Sequence, residues 1–453
     1  MSALEPFTPR NSHLHNHSPE STTSDMGAAT LAASLAAGLA VGLAFEAGLP
    51  RHCTLAPPSL QTYLVGFGFL FAGDVIVFAL GFCAYFTPRA VTFLLAIMLC
   101  ASPAVLPPIL EIAQLIATLR EVPFSTSDAM IGLFVSASMI VLAGFRVLAH
   151  ACGETPGDAA ATPESWCLYL ISATARRGKD GRALAPPPGF LPRTVAVLLL
   201  RVAYLGLCVS VLRIGGAYRP TAHFLGGRGF FVDAVDDVLA TATVAAFLAP
   251  VLEIAGLLLK LSGQQPIDGF KDPILRRRAA RNSAQFGAVR RAIRCGAKDS
   301  LLRSTSPLDL WGRRWNLHVH AILKIGFYKP LVKVVPKAIA SVATFVASAL
   351  YHEIVFAVAF PSYAVGRSTL FFALQGVICA GQLGLDAAGA PFAGLPAPLK
   401  TLGTLCLLGP TAYLFVDIWR DDGMFESMGA LTWVMKCEAE APPPPPSKFL
   451  GLF

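Results

Sequence analysis

The sequence predicts an all-α, multi-pass transmembrane helical bundle of about eight to ten spans, and three observations support this. Hydrophobic residues make up 54% of the 453 and charged residues only 14%, where a soluble chain carries about 25%. The mean hydropathy is +0.59. Apolar runs of about 20 residues, enough to cross a hydrocarbon core as a helix, recur along the chain.

Taken in order, residues 1–26 are polar, rich in Ser, Thr, Pro and Asn, and read as a disordered tail. Its alternating His13, His15 and His17 supply too few ligands for a metal site. No cationic stretch with a cleavage site stands at the start, so a cleaved signal peptide is not expected. The N-terminal transmembrane helices are expected within 27–261: Met26–Leu49, Gln61–Phe86, a run from Val91 to Ala117, Ala129–Ala149, Thr194–Ile214 and Ala234–Leu261. Ser102-Pro103 and Pro107-Pro108 should kink or split the run from Val91, because proline removes a helix bond. Cys152 to Arg193 reads as a polar, Pro/Gly-rich loop. Residues 262–437 hold a basic loop, a Trp-rich motif and the spans Ala338–Phe360, Leu370–Leu385 and Leu399–Trp419. Residues 438–453 carry a proline run expected to be extended and exposed.

Charge and cysteine usage refine the class. The net charge of +8 concentrates between Lys271 and Lys298, where nine Lys or Arg face one Asp. A short loop of this kind belongs on the cytoplasmic side, and it could also meet anionic headgroups or an anionic cosubstrate. The ten cysteines are scattered and form no CxxC pair, so reduced, buried thiols are expected rather than a zinc site or a disulfide frame. Asp74, Glu111 and Glu253 lie in apolar stretches, either near helix ends or paired within the bundle, or else lining a cavity.

The least comfortable residues are His352 and Glu353, inside a spanning run. A charge at that depth costs about 2.5–3.5 kcal/mol on insertion scales, so such residues turn to a protein or water-filled interior. Imidazole suits a general base, because its ordinary pKa of about 6.5 lies near working pH; a histidine bonded within the bundle is the structural alternative. Glu353, one residue on, points about 100° away on a helix and reads as an orienting partner. The second constellation is Trp311-Gly312-Arg313-Arg314-Trp315-Asn316. Its arginines suit phosphate or carboxylate and its tryptophans suit the membrane interface, which together describe an interfacial helix, either gripping an anion or serving as an anchor. No GxSxG elbow, P-loop, HExxH or HxxxxD box is present.

The two constellations carry a resemblance. Thr305–Asn316, TSPLDLWGRRWN, is followed 36 residues after Asn316 by the histidine of Ala347–Glu353, ASALYHE. In order and spacing they resemble the wax synthase branch of the membrane-bound O-acyltransferase family, whose plant-type long-chain-alcohol O-fatty-acyltransferases read approximately SLQDFWGRRWN and later SGLMHE. The clear match covers Ser304–Phe360, with a looser one over Leu370–Gly381. Pro307-Leu308, Leu310 and Ala349-Leu350-Tyr351 depart from the pattern, which bears on substrate preference.

The resemblance implies a bundle of that family's type in the endoplasmic reticulum membrane, and acyl transfer from acyl-CoA to a long-chain fatty alcohol to give a wax ester. It implies His352 as the general base and Asn316 as the second catalytic position, and it leaves Trp311, Arg313, Arg314, Trp315 and Glu353 as candidates for substrate contact. Asp309 would cap or orient the motif. Acyl-CoA is the cosubstrate, with no further cofactor, no metal and no nucleic acid expected; membrane lipids are the surroundings. A sterol or diacylglycerol acceptor is the nearest other reading. A transporter lined by Asp74, Glu111, Glu253 and His352 is a reading of another class, and a silent lipid-binding relative a third.

Overall fold

The computed structural model describes residues 53–119, 126–155, 159–160, 162–171, 190–214, 236–248, 250–251, 303–388 and 394–437. The expected span at Met26–Leu49, Glu253, the basic loop and the proline run lie outside these residues.

Helices form where apolar runs are long enough. They are α1 (Leu60–Phe86), α2 (Arg89–Ala101), α3 (Leu106–Leu119), α4 (Thr126–Ala151), α5 (Pro163–Ile171), α6 (Phe190–Ile214), α7 (Leu317–Leu323), α8 (Lys337–Ala359), α9 (Arg367–Ala387), α10 (Ala397–Asp421) and α11 (Met424–Gly429). Among the described residues, seven helices are long and apolar enough to cross a membrane, α2 and α3 counting as one interrupted span. The interruption is a 3-10 turn over Ser102–Val105, at the Ser-Pro pair where a break is expected. Part of the expected span at Ala234–Leu261 is helical over 236–248.

The spans are similarly apolar but differ in burial. Of the apolar stretch in α4, 78% lies inside the molecule, against 22% to 44% for the six others. Small residues explain this central place. A Cβ added to Gly132 would lie 2.8 Å from the Cα of Gly66 on α1, and one added to Gly144 would lie 2.6 Å from Sγ of Cys100 on α2. Close approach of backbones through small residues holds helices together where lipid is as apolar as leucine. On the outside, α1 leaves Leu64, Phe67 and Phe71 exposed, a face suited to lipid. The core on the other side of α4 is aromatic: Phe134, Phe247, Phe356, Phe360 and Trp419 meet at ring distances of 5.0 to 6.4 Å.

Side-chain bonds sort the helix ends into two groups. Glu154, just beyond α4, pairs with Lys329 and Lys333, which precede α8. Tyr85 at the end of α1 reaches the carbonyl of Ala160. This end also carries Arg89, Lys337 and Lys400 and is basic. At the opposite end Thr62 donates to Asp128 at 2.6 Å, Arg367 pairs with Asp417 and Asp421, and buried Arg420 pairs with Asp417 and Asp237. That end is acidic.

Three expectations need correction. The stretch from Cys152 to Arg193 is not all loop: α5 forms there, because Trp166, Tyr169 and Leu170 are buried. The Trp166 indole donates to the Gly81 carbonyl at 2.7 Å, and Arg146 donates to the carbonyls of Tyr169 and Leu170 at 2.7 and 2.6 Å. Second, two short strands accompany the helices. β1 (Cys53–Ala56) pairs antiparallel with β2 (Val434–Cys437), bringing the segment before α1 to the segment after α11. Third, the thiols of Cys83, Cys152 and Cys406 are free but exposed rather than buried.

Candidate active site

The Trp-rich motif folds as one turn, Pro307–Asp309, that widens into a π-helical turn, Leu310–Arg314. Ser306 starts it, its hydroxyl accepting from the Asp309 N–H at 3.1 Å. The Asp309 carboxylate then gathers the turn: Oδ2 accepts from the Thr305 N–H at 3.1 Å and from Nε of Arg314 at 2.8 Å. Asp309 therefore orients the motif, and Arg314 is committed to it. Arg313 is 82% exposed and only 3.9 Å from the same carboxylate, which leaves its guanidinium facing outward.

The chain reverses at Asn316, the sole non-glycine residue with positive φ among those described, at φ 34° and ψ 57°. Asparagine tolerates this left-handed region better than most residues. Its Oδ1 accepts from the Val319 N–H at 3.4 Å and caps α7, so the NH2 of the amide is the part turned to other uses. Within α7, His320 is held down to about 4, chiefly by burial and secondarily by the Lys324 charge.

The motif turns a tryptophan ring inward. Trp311 packs its ring against Trp315, Phe345 of α8, and Phe371 and Phe372 of α9, at 5.8 to 6.3 Å. Phe345 is eight residues into α8, about 12 Å along its axis at 1.5 Å per residue. The Trp311 ring fills a gap between two spans, and Arg313 stays outside.

His352 lies further along α8, about 22 Å from Lys337 by the same rise, and is buried. Its imidazole stacks on Phe372 at 4.3 Å and 24°, with Tyr351, Phe356 and Phe415 around it at 4.6 to 5.6 Å. Nδ1 lies 2.7 Å from the Ser348 carbonyl oxygen. A carbonyl only accepts, so Nδ1 carries the proton and, in the neutral ring, Nε2 carries the lone pair. That is the tautomer a general base needs if its substrate approaches Nε2.

Phe372 is therefore the joint between the two constellations, touching Trp311 and His352 alike. Glu353 takes no part in this cluster. Its Oε1 accepts from the N–H and hydroxyl of Thr369 at 2.8 and 2.9 Å, and its Oε2 from the Gly366 N–H at 3.0 Å. It caps the start of α9 and makes no bond to His352. Asp74 is half-buried in the middle of α1 and Glu111 is exposed on α3, away from helix ends. Sequence reasoning missed Phe372, Gln375 and Gln382. Gln382 accepts from the Leu308 N–H at 3.0 Å and Gln375 from the Trp311 indole at 3.3 Å. Their seven-residue spacing on α9, one helix face over two turns, is the signal that could have flagged them.

This arrangement coincides with a known family's signature. Residues 297–374 match the model of the Membrane bound O-acyl transferase family. The matched O-acyl transferase segment contains the whole Trp-rich motif, His352, Glu353 and Phe372. Among curated proteins, "Probable long-chain-alcohol O-fatty-acyltransferase 9" of Arabidopsis thaliana is 29% identical over 136 residues, 27% of this chain and 39% of that protein. "Probable long-chain-alcohol O-fatty-acyltransferase 7" of the same plant is 40% identical over 82 residues, 16% of this chain and 24% of that protein. "Probable long-chain-alcohol O-fatty-acyltransferase 8" is 39% identical over 85 residues, 17% and 25% of the two chains. The chain thus spans between a quarter and two fifths of the length of these relatives. The resemblance carried by the two motifs is the one these comparisons return.

Proposed function

We propose that the chain is an acyl-CoA-dependent O-acyltransferase that esterifies a long-chain fatty alcohol, making wax esters in the endoplasmic reticulum membrane. One observation carries the chemistry: the Nδ1–H of His352 donates to the Ser348 carbonyl at 2.7 Å, which aims the lone pair of Nε2 away from its own helix turn.

In this reading the alcohol hydroxyl binds Nε2 and loses its proton to it as the oxygen attacks the thioester carbonyl carbon. A C–O bond forms, the C–S bond breaks, and the proton passes from Nε2 to the departing sulfur. The products are the ester and free CoA. A thioester is already activated, so positioning and base catalysis suffice without an acyl-enzyme. The NH2 of Asn316 supplies a donor for the thioester oxygen. Aromatic walls at Phe356, Phe372 and Phe415 match an alkyl chain. The basic end faces the cytoplasm by the charge rule, and Arg313 there meets CoA phosphate. No metal or further cofactor enters the reaction.

The test uses microsomes from a yeast lacking its own neutral-lipid acyltransferases, expressing wild type or His352→Ala. Labelled acyl-CoA is supplied with a fatty alcohol, a sterol or diacylglycerol. Wax ester from the wild type alone supports the reading. Ester only on sterol or diacylglycerol replaces the acceptor, and an unchanged rate in the variant removes His352 from the chemistry. No ester from any acceptor, with folded protein present, refutes the activity.

A further inference from the structure

Among the polar side chains of the described spans, Gln375 is 1% exposed and yet bonded in two directions. The Trp311 indole N–H donates to its Oε1 at 3.3 Å, and its Nε2–H donates to Oγ1 of Thr411 at 2.7 Å. The Thr411 hydroxyl donates in turn to the Leu408 carbonyl at 2.8 Å. The chain of bonds has one possible polarity. Indole nitrogen only donates and a backbone carbonyl only accepts, so the amide of Gln375 cannot flip without losing the bond from the Trp311 indole and turning the Thr411 hydroxyl away from Leu408. A polar amide buried between spans is costly unless bonded, and glutamine side chains bonded across helices hold spans in a fixed arrangement.

The three residues it joins come from the Trp-rich motif, α9 and α10. Phe372 sits one turn before Gln375 on α9, stacks on His352 and contacts Trp311. Phe415, one turn after Thr411 on α10, closes on the same imidazole at 5.4 Å. Gln375 thus ties together both elements that wall His352 and the motif that carries Asn316. We infer that Gln375 is a positioning residue for the esterification site: through Trp311 and Thr411 it fixes the aromatic walls that set the direction of the imidazole. It touches neither donor nor acceptor. The inference rests on the acyltransferase reading above.

The experiment measures kcat and KM in microsomes for Gln375→Leu, Trp311→Phe, Thr411→Val, Thr411→Ser and the double variant Gln375→Leu/Trp311→Phe. In parallel, fluorine NMR is recorded on the full chain in detergent, labelled with 5-fluorotryptophan, the Trp311 line being assigned by its loss in Trp311→Phe. The expected result is a fall of about tenfold in kcat for Trp311→Phe and Thr411→Val, the worth of one buried hydrogen bond, and at least as large a fall for Gln375→Leu, which loses two. The KM for acyl-CoA should stay within about twofold, because a lost positioning bond acts on the reacting geometry rather than on donor binding. Thr411→Ser, which keeps the hydroxyl, should behave as wild type. The double variant should be no worse than Gln375→Leu alone, because that change already removes the bond from the Trp311 indole.

The Trp311 resonance should move in Gln375→Leu. A double variant about tenfold worse than Gln375→Leu overturns the inference, as does an unmoved Trp311 line while ester still forms. A wild type that makes no ester removes the acyltransferase reading, and the positioning role with it, whatever the fluorine spectra show.

Discussion

His352 donates its Nδ1–H to the carbonyl of Ser348, one helical turn earlier and 2.7 Å away. Because the partner is a backbone carbonyl, it survives any side-chain change at 348. Ser348→Ala should therefore keep activity within about threefold. His352→Asn offers an amide NH2 to the same carbonyl but nothing at the Nε2 position. It should unfold at nearly the wild-type temperature yet lose about 10²-fold or more in kcat, the usual contribution of a general base. Ester formation and thermal unfolding, measured together on both variants, test the assignment; a strong loss in Ser348→Ala would mean the serine hydroxyl does the work.

Glu353 turns its carboxylate to the start of α9, accepting three bonds from Gly366 and Thr369. Negative charge at a helix N-terminus is favourable, by up to about 2 kcal/mol when partly buried. Glu353→Ala should cost about that much. Glu353→Gln keeps one acceptor but turns an NH2 towards an N–H donor, and should cost about half as much. Thermal unfolding in detergent reads both. Equal melting temperatures for wild type and Glu353→Ala would show that the cap holds nothing.

The spans were legible because length and hydropathy are local properties, and so was the break at Ser102-Pro103, where proline chemistry acts on its own turn. Asp309 was legible as an organiser, since its partners lie within five residues. What escaped the sequence depends on distant neighbours. α4 is no more apolar than α1, and its central place comes from which glycines meet which backbones. α5 rests on Trp166 finding the Gly81 carbonyl, and β1 on a strand from the far end of the chain. Tryptophan as a residue type suits the interface, whereas the packing of Trp311 against Phe345 and Phe372 is set by residues further along the chain. His352 could be named from its discomfort in an apolar run; the spacing of Gln375 and Gln382 marks one face of α9, but not the bonds of Gln375, whose partners sit 64 and 36 residues away.

The contact between α1 and α4 makes a contrast between two glycines. A Cβ on Gly132 would press against the Gly66 backbone at 2.8 Å, whereas one on Gly66 meets nothing within 4 Å. Backbone cannot swing aside as a side-chain tip can. Gly132→Ala should destabilise by about 1–3 kcal/mol, the usual range for overpacking. Gly66→Ala should be neutral or slightly stabilising, as alanine favours the helix by up to about 1 kcal/mol. Yield of folded protein and melting temperature in detergent separate the two, and equal losses would mean that the helices do not approach through this pair.

His320 gives the fold a pH dependence of definite sign. Burial, helped by Lys324, holds its imidazole down to about 4, whereas in the unfolded chain it titrates near 6.5. Between those values the unfolded chain binds a proton that the native chain refuses. Stability from this group is therefore complete above about pH 6.5, falls as the pH drops towards 4, and levels off below that. By pH 5 the loss is on the order of 2 kcal/mol. His320→Asn carries no such proton, while every other titrating group is common to both proteins. Melting curves from pH 7.5 to 5.0 should thus converge or cross, the wild type losing stability faster than His320→Asn. Parallel curves would show that the imidazole of His320 is free to take up its proton in the folded chain.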